Sequence, residues 1–384
     1  MMSEQIAMKS HINLPFSLFL LVLLTLFHGV VSADTEKPSK QESNGLIERL
    51  VLPKTTFNPS IGRKLDLVVV LKKQAKVTIR VYDPDWHEIA IPVVAMPMDA
   101  GENTIQWDGK DKEGQIVPDE AYFFTLDATT SDGEQEIYDP TAFSGGVEKD
   151  LTQASIDKDT GTIRYRLPKM SRVDIRIGIS GGPLLRKVVD WEPRPAGEIT
   201  DYWDGMDKDN LFDLHQNSNS KMIISYFTLP DNSVITYGNR KLSYLDYIQG
   251  KTWPKKEDRT TDWARDKKIS LHYRIPRDRD YSPQISMDFP NQVGIEGDTP
   301  ILKGRSVVHV DLSDDCKESF QNSKFEIVFF LDGTFHAEEE TGYAPYNWIW
   351  DTAQTKEGTY LLTVNVSSFD DHIGIVSRKV KVVH

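Results

Sequence analysis

Leu71-Lys72-Lys73-Gln74-Ala75-Lys76-Val77-Thr78-Ile79-Arg80 returns 96 residues later as Leu167-Pro168-Lys169-Met170-Ser171-Arg172-Val173-Asp174-Ile175-Arg176. With the same offset and no gap, Ala100-Gly101-Glu102 falls on Ala196-Gly197-Glu198. Trp107-Asp108-Gly109 falls on Trp203-Asp204-Gly205, and Asp111-Lys112 on Asp207-Lys208. From 71 to 112, 16 of 42 positions are identical, so the two stretches are copies of one unit.

The pattern inside each copy is β. Val77, Ile79 and Val81 alternate with Thr78 and Arg80; Val173, Ile175 and Ile177 alternate with Asp174 and Arg176. A period of two in β-branched residues is a strand with one buried face. Asp83-Pro84-Asp85 and Gly181-Gly182-Pro183 break the alternation at matching places, as hairpin turns do. Asp108-Gly109 and Glu113-Gly114 are further turn signals before Tyr122-Phe123-Phe124-Thr125-Leu126. Neither copy carries a helical period of useful length. Short strands at such spacing predict an all-β fold of tandem immunoglobulin-like or fibronectin III-like β-sandwiches.

On these residues the first copy resembles the FlgD-like immunoglobulin-like module of the flagellar hook-capping protein family. The shared features are Val77-Thr78-Ile79-Arg80-Val81-Tyr82, Ala100-Gly101, Trp107-Asp108-Gly109, Gly114 with Pro118, and Tyr122-Phe123. The match covers about 57–128, and more loosely 156–237. The opening loop is reduced to Asn58-Pro59-Ser60-Ile61-Gly62, and Asn210 to Ser220 replace the ending in the second copy. The resemblance implies a β-sandwich module that also occurs in secreted bacterial proteins.

A third unit follows. Arg305–Asp311 and Phe325–Leu331 read as strands, Asp332-Gly333 as a tight turn, and Trp350-Asp351-Thr352 and Gly358–Val364 as further strand signals. It resembles bacterial Ig-like domains. The predicted organisation is a signal peptide at 1–33, a flexible segment at 34–50 and FlgD-like sandwiches at 51–143 and 147–242. A charged, aromatic connector at 243–284 and an Ig-like sandwich at 285–384 complete it.

The N-terminal reading rests on the apolar run Phe16 to Phe27, the preceding Lys9 and His11, and the small residues Val31-Ser32-Ala33. The run is shorter than the ~20 residues of a bilayer span. The mature chain is expected to start near Asp34, to lack any membrane span, and to reside in the periplasm or at the cell surface. Across 384 residues, 45 Lys and Arg stand against 58 Asp and Glu, a net charge of −13 that argues against a nucleic-acid partner. The single cysteine, Cys316, excludes an internal disulfide framework and a Cys-based zinc site.

The connector reverses the charge: Lys251 to Asp280 holds ten Lys and Arg against six Asp and Glu. Its aromatics include Tyr244, Tyr247, Trp253, Trp263 and Tyr273. These five are the candidate partner-binding residues, with a linker covering an inter-domain seam as the alternative. Tyr273-Arg274-Ile275-Pro276 echoes Tyr165-Arg166-Leu167-Pro168 and is expected to be extended.

Catalytic signatures are sparse. Gly178-Ile179-Ser180-Gly181-Gly182 matches the G-x-S-x-G elbow, but a β-like stretch follows where the elbow needs a helix. The nine histidines form no H-x-x-x-H or H-E-x-x-H pair, so no catalytic zinc site is expected. Asp108, Asp111 and Glu113, and again Asp204, Asp207 and Asp209, read as carboxylates bonded to their own turns. Ca²⁺ in these acidic turns is the one cofactor the sequence leaves open. The reading is a non-catalytic scaffold or adhesion-type protein with a protein partner, the alternative being a glycan-binding protein that uses the connector and third sandwich.

Overall fold

A computed structural model describes residues 45–249, 251, 269–321 and 324–384. The predicted signal peptide and the candidates Trp253 and Trp263 lie outside the described residues. The described chain folds as β-sandwiches with three main apolar cores. Among these residues no helix is long and apolar enough to cross a membrane.

In the first sandwich, Ile47–Val51, Leu65–Leu71 and Gly101–Trp107 form one sheet. The facing sheet centres on Ala75–Tyr82, paired with Glu88–Met98 on one side and Ala121–Thr129 on the other. Ala75–Tyr82 alternates buried and open positions, as its period of two requires. The second sandwich repeats the plan. Ser171–Ile179 lies between Leu184–Arg194 and Ser220–Thr228, opposite a sheet of Ala154–Asp157, Thr162–Leu167 and Gly197–Tyr202. The third sandwich sets Ile285–Asp288, Arg305–Leu312 and Tyr346–Asp351 against a six-stranded sheet built on Phe325–Leu331, Gly358–Ser368 and Ile373–Val382.

The duplication extends to single hydrogen bonds. Trp107 Nε1 donates to the Lys110 carbonyl at 3.0 Å, and Trp203 Nε1 to the Met206 carbonyl at 2.9 Å. The Lys112 amide donates to Ile89 and that of Lys208 to Leu185, at the same offset of 96. The Asp83 amide reaches the His87 carbonyl as the Ile179 amide reaches Pro183. Even the strained positions match: Ala95 has φ 45° and Trp191 φ 50°, each in the irregular edge strand of its copy. The rings of Trp107, Trp203 and Trp350 are buried, as expected for strand-ending tryptophans.

Three segments differ from the sequence reading. Ile47–Val51, placed in the flexible segment, is a strand, because Leu46, Ile47 and Leu50 drop into the first core. Val234–Thr236, placed in the second sandwich, belongs to the first: it pairs antiparallel with Ala121–Tyr122 and parallel with Thr56–Phe57. The chain thus leaves the second sandwich and returns to the first before entering the connector. Tyr273-Arg274 is not extended. Leu271–Arg274 is a short helix, stopped where Ile275 takes the extended backbone favoured before Pro276.

Ser180 sits in the turn between Ser171–Ile179 and Leu184–Arg194, and its amide donates to the Asn219 carbonyl at 2.9 Å. A strand, not a helix, follows it, so the elbow geometry is not formed. Ser180 borders a cleft of about 510 Å³ shared with Asp332 to Phe335 of the third sandwich, and no histidine or lysine lines it among the described residues.

Candidate functional site

The two copies differ most on one strand face. Where the first has Lys76, Thr78, Ile91, Val94 and Ala95, the second has Arg172, Asp174, Lys187, Asp190 and Trp191. In the first copy this face is open to solvent: Val94 is 69% exposed and Met96 47%. In the second it is covered, and Ser171–Ile177 is buried on both sides apart from the half-open Arg176. The cover comes from the first sandwich, the connector and the loop Ser368–His372 of the third.

Burial of this face requires that each charge find a partner. Arg172 Nη2 donates to Glu120 Oε1 of the first sandwich at 2.6 Å, and its Nη1 to the Trp191 carbonyl at 3.0 Å. Lys187 Nζ lies 2.7 Å from Asp190 Oδ1 and 3.3 Å from Asp174 Oδ1. Arg176 bridges Asp174 Oδ2 at 3.0 Å and Asp371 Oδ2, on the third sandwich, at 2.9 Å. From the connector, Arg277 Nη2 donates to the Asp190 carbonyl at 3.1 Å, and Nη1 to the carbonyl of Asp280 at the same distance. Around these charges an apolar seam of Ala121, Trp191, Phe227, Leu229 and Ile235 joins the first two sandwiches.

At the end of this network His272 and Asp280, both from the connector, meet His372 of the third sandwich. His272 Nδ1 donates to Asp280 Oδ1 at 2.5 Å, and His372 Nε2 donates to the same oxygen at 3.0 Å. The far nitrogen of His272 faces Asp371 Oδ2 at 3.9 Å, and the His272 ring lies 4.4 Å from that of Trp191. His272, Asp280 and His372 are 5%, 1% and 7% exposed. Burial acts to strip the His272 proton, but the hydrogen bond to Asp280 and the nearby carboxylate of Asp371 outweigh this and raise its pKa to about 9. The same pairing holds both carboxylates below their ordinary value despite burial.

Sequence reasoning missed this cluster because Asp280 and His372 are separated by 92 positions. No local spacing encodes such a pair. The available signal was indirect: Asp174, Lys187 and Asp190 on the face of the second copy where the first carries Thr78, Ile91 and Val94.

The sequence-selected aromatics lie elsewhere. The Tyr244 hydroxyl donates to Asp85 Oδ2 at 2.8 Å and to Asp83 Oδ2 at 3.1 Å. That of Tyr247 donates to Asp111 Oδ2 at 2.9 Å, and Lys251 Nζ lies 2.5 Å from the same oxygen. Both rings are buried, so they fasten the connector to the first sandwich and present no surface to a partner. Tyr273 is half-buried, edge-on to Phe227. The acidic turns bind their own backbone. Asp111 Oδ1 accepts from the amides of Glu113 and Gln115, and Asp207 Oδ1 from those of Leu211 and Phe212.

No protein-family model and no curated protein matches the chain. Among solved structures, FlgD from P. aeruginosa is 23% identical over 24% of this chain and 72% of its own, with a TM-score of 0.20. The fibronectin(III)-like modules of CbhA from Clostridium thermocellum align over 87% of this chain and 93% of theirs, at 11% identity and a TM-score of 0.18. A tetra-tandem repeat from the extending region of a large adhesion protein aligns over 87% and 73%, at 9% identity and 0.19. At these scores the likenesses carry no argument about what the chain does.

Two predictions follow from the charged face. Arg172→Met leaves Glu120 buried without its nearest cation and should lower unfolding free energy by about 3–5 kcal/mol. The double variant Arg172→Met/Glu120→Gln should lose less, as read in urea titrations. A larger loss in the double variant would contradict a coupled pair. Asp174 gives a pH signature. Burial raises its pKa from the ordinary 3.8 to about 6, against the pull of Lys187 and Arg176. The folded chain therefore holds this proton more tightly than the unfolded chain, and its stability falls as pH rises from about 4 through about 6. The stability difference between wild type and Asp174→Asn should shift in favour of the variant across that window and stay flat above it; a pH-independent difference would contradict the assignment.

Proposed function

We propose that the chain is a non-catalytic, secreted scaffold or adhesion-type protein that makes protein–protein contacts in the periplasm or at the cell surface. One observation carries this reading: the connector and all three sandwiches meet in a buried charged junction. Joined in this way, the modules hold their outer faces at fixed separations, which suits a protein that positions what it binds. The predicted signal at 1–33 supports export. The apolar side chains left open away from the junction supply contact area, with Val94 and Ile137 on the first sandwich and Phe335 on the third.

The test uses a photo-crosslinking amino acid at Val94 or Phe335 in the full chain, expressed in its native cell. A discrete adduct at one face that disappears when a neighbouring apolar residue becomes Asp supports the proposal. Adducts absent from both faces, with the chain exported and folded, would overturn it.

A second reading has its own observation. On the third sandwich, the half-buried Trp348 stacks on the buried Trp350 at 5.5 Å and 9°, and His336 lies edge-on to both. The partly open Trp348 ring suits the flat face of a sugar ring, which favours the glycan-binding alternative. Retention of the chain on a cell-envelope polysaccharide, lost in Trp348→Ala, supports it; no retention of the intact chain ends it.

A further inference from the structure

We propose that His272 Nδ1, His372 Nε2 and Asp280 form a binding site for one divalent transition-metal ion of the zinc class, clamping the connector to the third sandwich. The inference does not depend on the scaffold reading.

The first support is convergence. The three ligand atoms lie within 4.8 Å of one another, and all three residues are buried. Two imidazole nitrogens and a carboxylate oxygen are the donor set of zinc and its neighbours; calcium and magnesium prefer oxygen alone. Zinc ligands stand about 2.0–2.2 Å from the ion. The two nitrogens already converge on Asp280 Oδ1, at 2.5 and 3.0 Å. A small outward rotation of the carboxylate opens the centre of the triangle. The ion then takes the place of the proton on Nδ1 of His272, which leaves to solvent, while His372 binds through Nε2 as the neutral tautomer with its proton on Nδ1.

The second support is the surrounding shell. Metal-bound imidazoles commonly point their other nitrogen at a carboxylate or carbonyl, which fixes the ring. His272 Nε2 faces Asp371 at 3.9 Å, and Asp371 is itself held by Arg176 at 2.9 Å. Trp191 fixes the ring plane from one side. Arg277 donates to the carbonyl of Asp280 and anchors the ligand's backbone. A cavity of about 30 Å³ bordered by His272 and Asp280 has room for one water beside the site.

The third support is charge. Glu120, Asp174, Asp190, Asp280 and Asp371 face the fixed cations Arg172, Arg176, Lys187 and Arg277. Five carboxylates against four fixed cations leave the fifth to be balanced at the two histidines, by a proton or by a bound metal ion.

The probe is Zn²⁺ added to the purified, chelator-stripped full chain. The expected result is one equivalent bound with a rise in melting temperature, both lost in His372→Gln and unchanged in His309→Gln. Asp371→Asn should weaken binding by about 10–100-fold through the second shell alone. X-ray absorption of the zinc-loaded wild-type chain, which needs no variant to fold, should show two imidazoles and oxygen ligands. Binding of less than one equivalent, binding unaffected by His372→Gln, or a spectrum with fewer than two imidazoles would overturn the proposal and leave a hydrogen-bonded triad alone.

Discussion

The structure turns on one strand whose two faces are both buried. Ser171–Ile179 sends Val173, Ile175 and Ile177 into the second core. Its other face sends Arg172 and Asp174 into a junction that buries both side chains. A buried charge without a partner is untenable at several kcal/mol. This face therefore requires Glu120 from one neighbour, Asp371 from another, and a connector that closes over the remainder. The sandwiches cannot part without exposing or orphaning these groups together.

Such a junction contributes little net stability compared with an apolar one of the same shape. Its effect is specificity. A guanidinium such as Arg172, held by a carboxylate and a backbone carbonyl at once, has one satisfactory placement, whereas an apolar seam tolerates sliding. The small seam of Ala121, Trp191, Phe227, Leu229 and Ile235 supplies the attraction, and the charges set its register. The return strand Val234–Thr236 adds a backbone tether between the first two modules, completing a sheet of the first with residues that follow the second. The connector adds another, with Tyr244 and Tyr247 seated on the acidic turns of the first sandwich.

The sandwich fold was legible because duplication and period-two alternation are local signals, repeated 96 residues apart. The matching Trp107 and Trp203 hydrogen bonds follow directly from matching Trp-Asp-Gly segments. The junction was far less legible. Trp191 replaces Ala95 at the same left-handed bulge, and Asp174 replaces Thr78, but a sequence shows only that the face became charged. It does not show what covers that face. The return of Val234–Thr236 was hidden for a related reason: a short apolar strand carries no mark of which sheet edge it completes. Tyr244 and Tyr247 stood out as candidate partner-binding residues because they are aromatics in a charged stretch, and the structure gives their hydroxyls internal partners.

The central claim is that the connector and the three sandwiches share one cooperative unit. Native-state amide hydrogen exchange tests it most directly at Ser270, Ile275, Arg277 and Ser282, whose amides donate to Gly146, Leu271, Asp85 and Asp190. The account predicts that these connector amides exchange only as slowly as those of Ser171–Ile179, through the same global opening. Exchange at the rate of an open loop, while the sandwich cores stay protected, would contradict it.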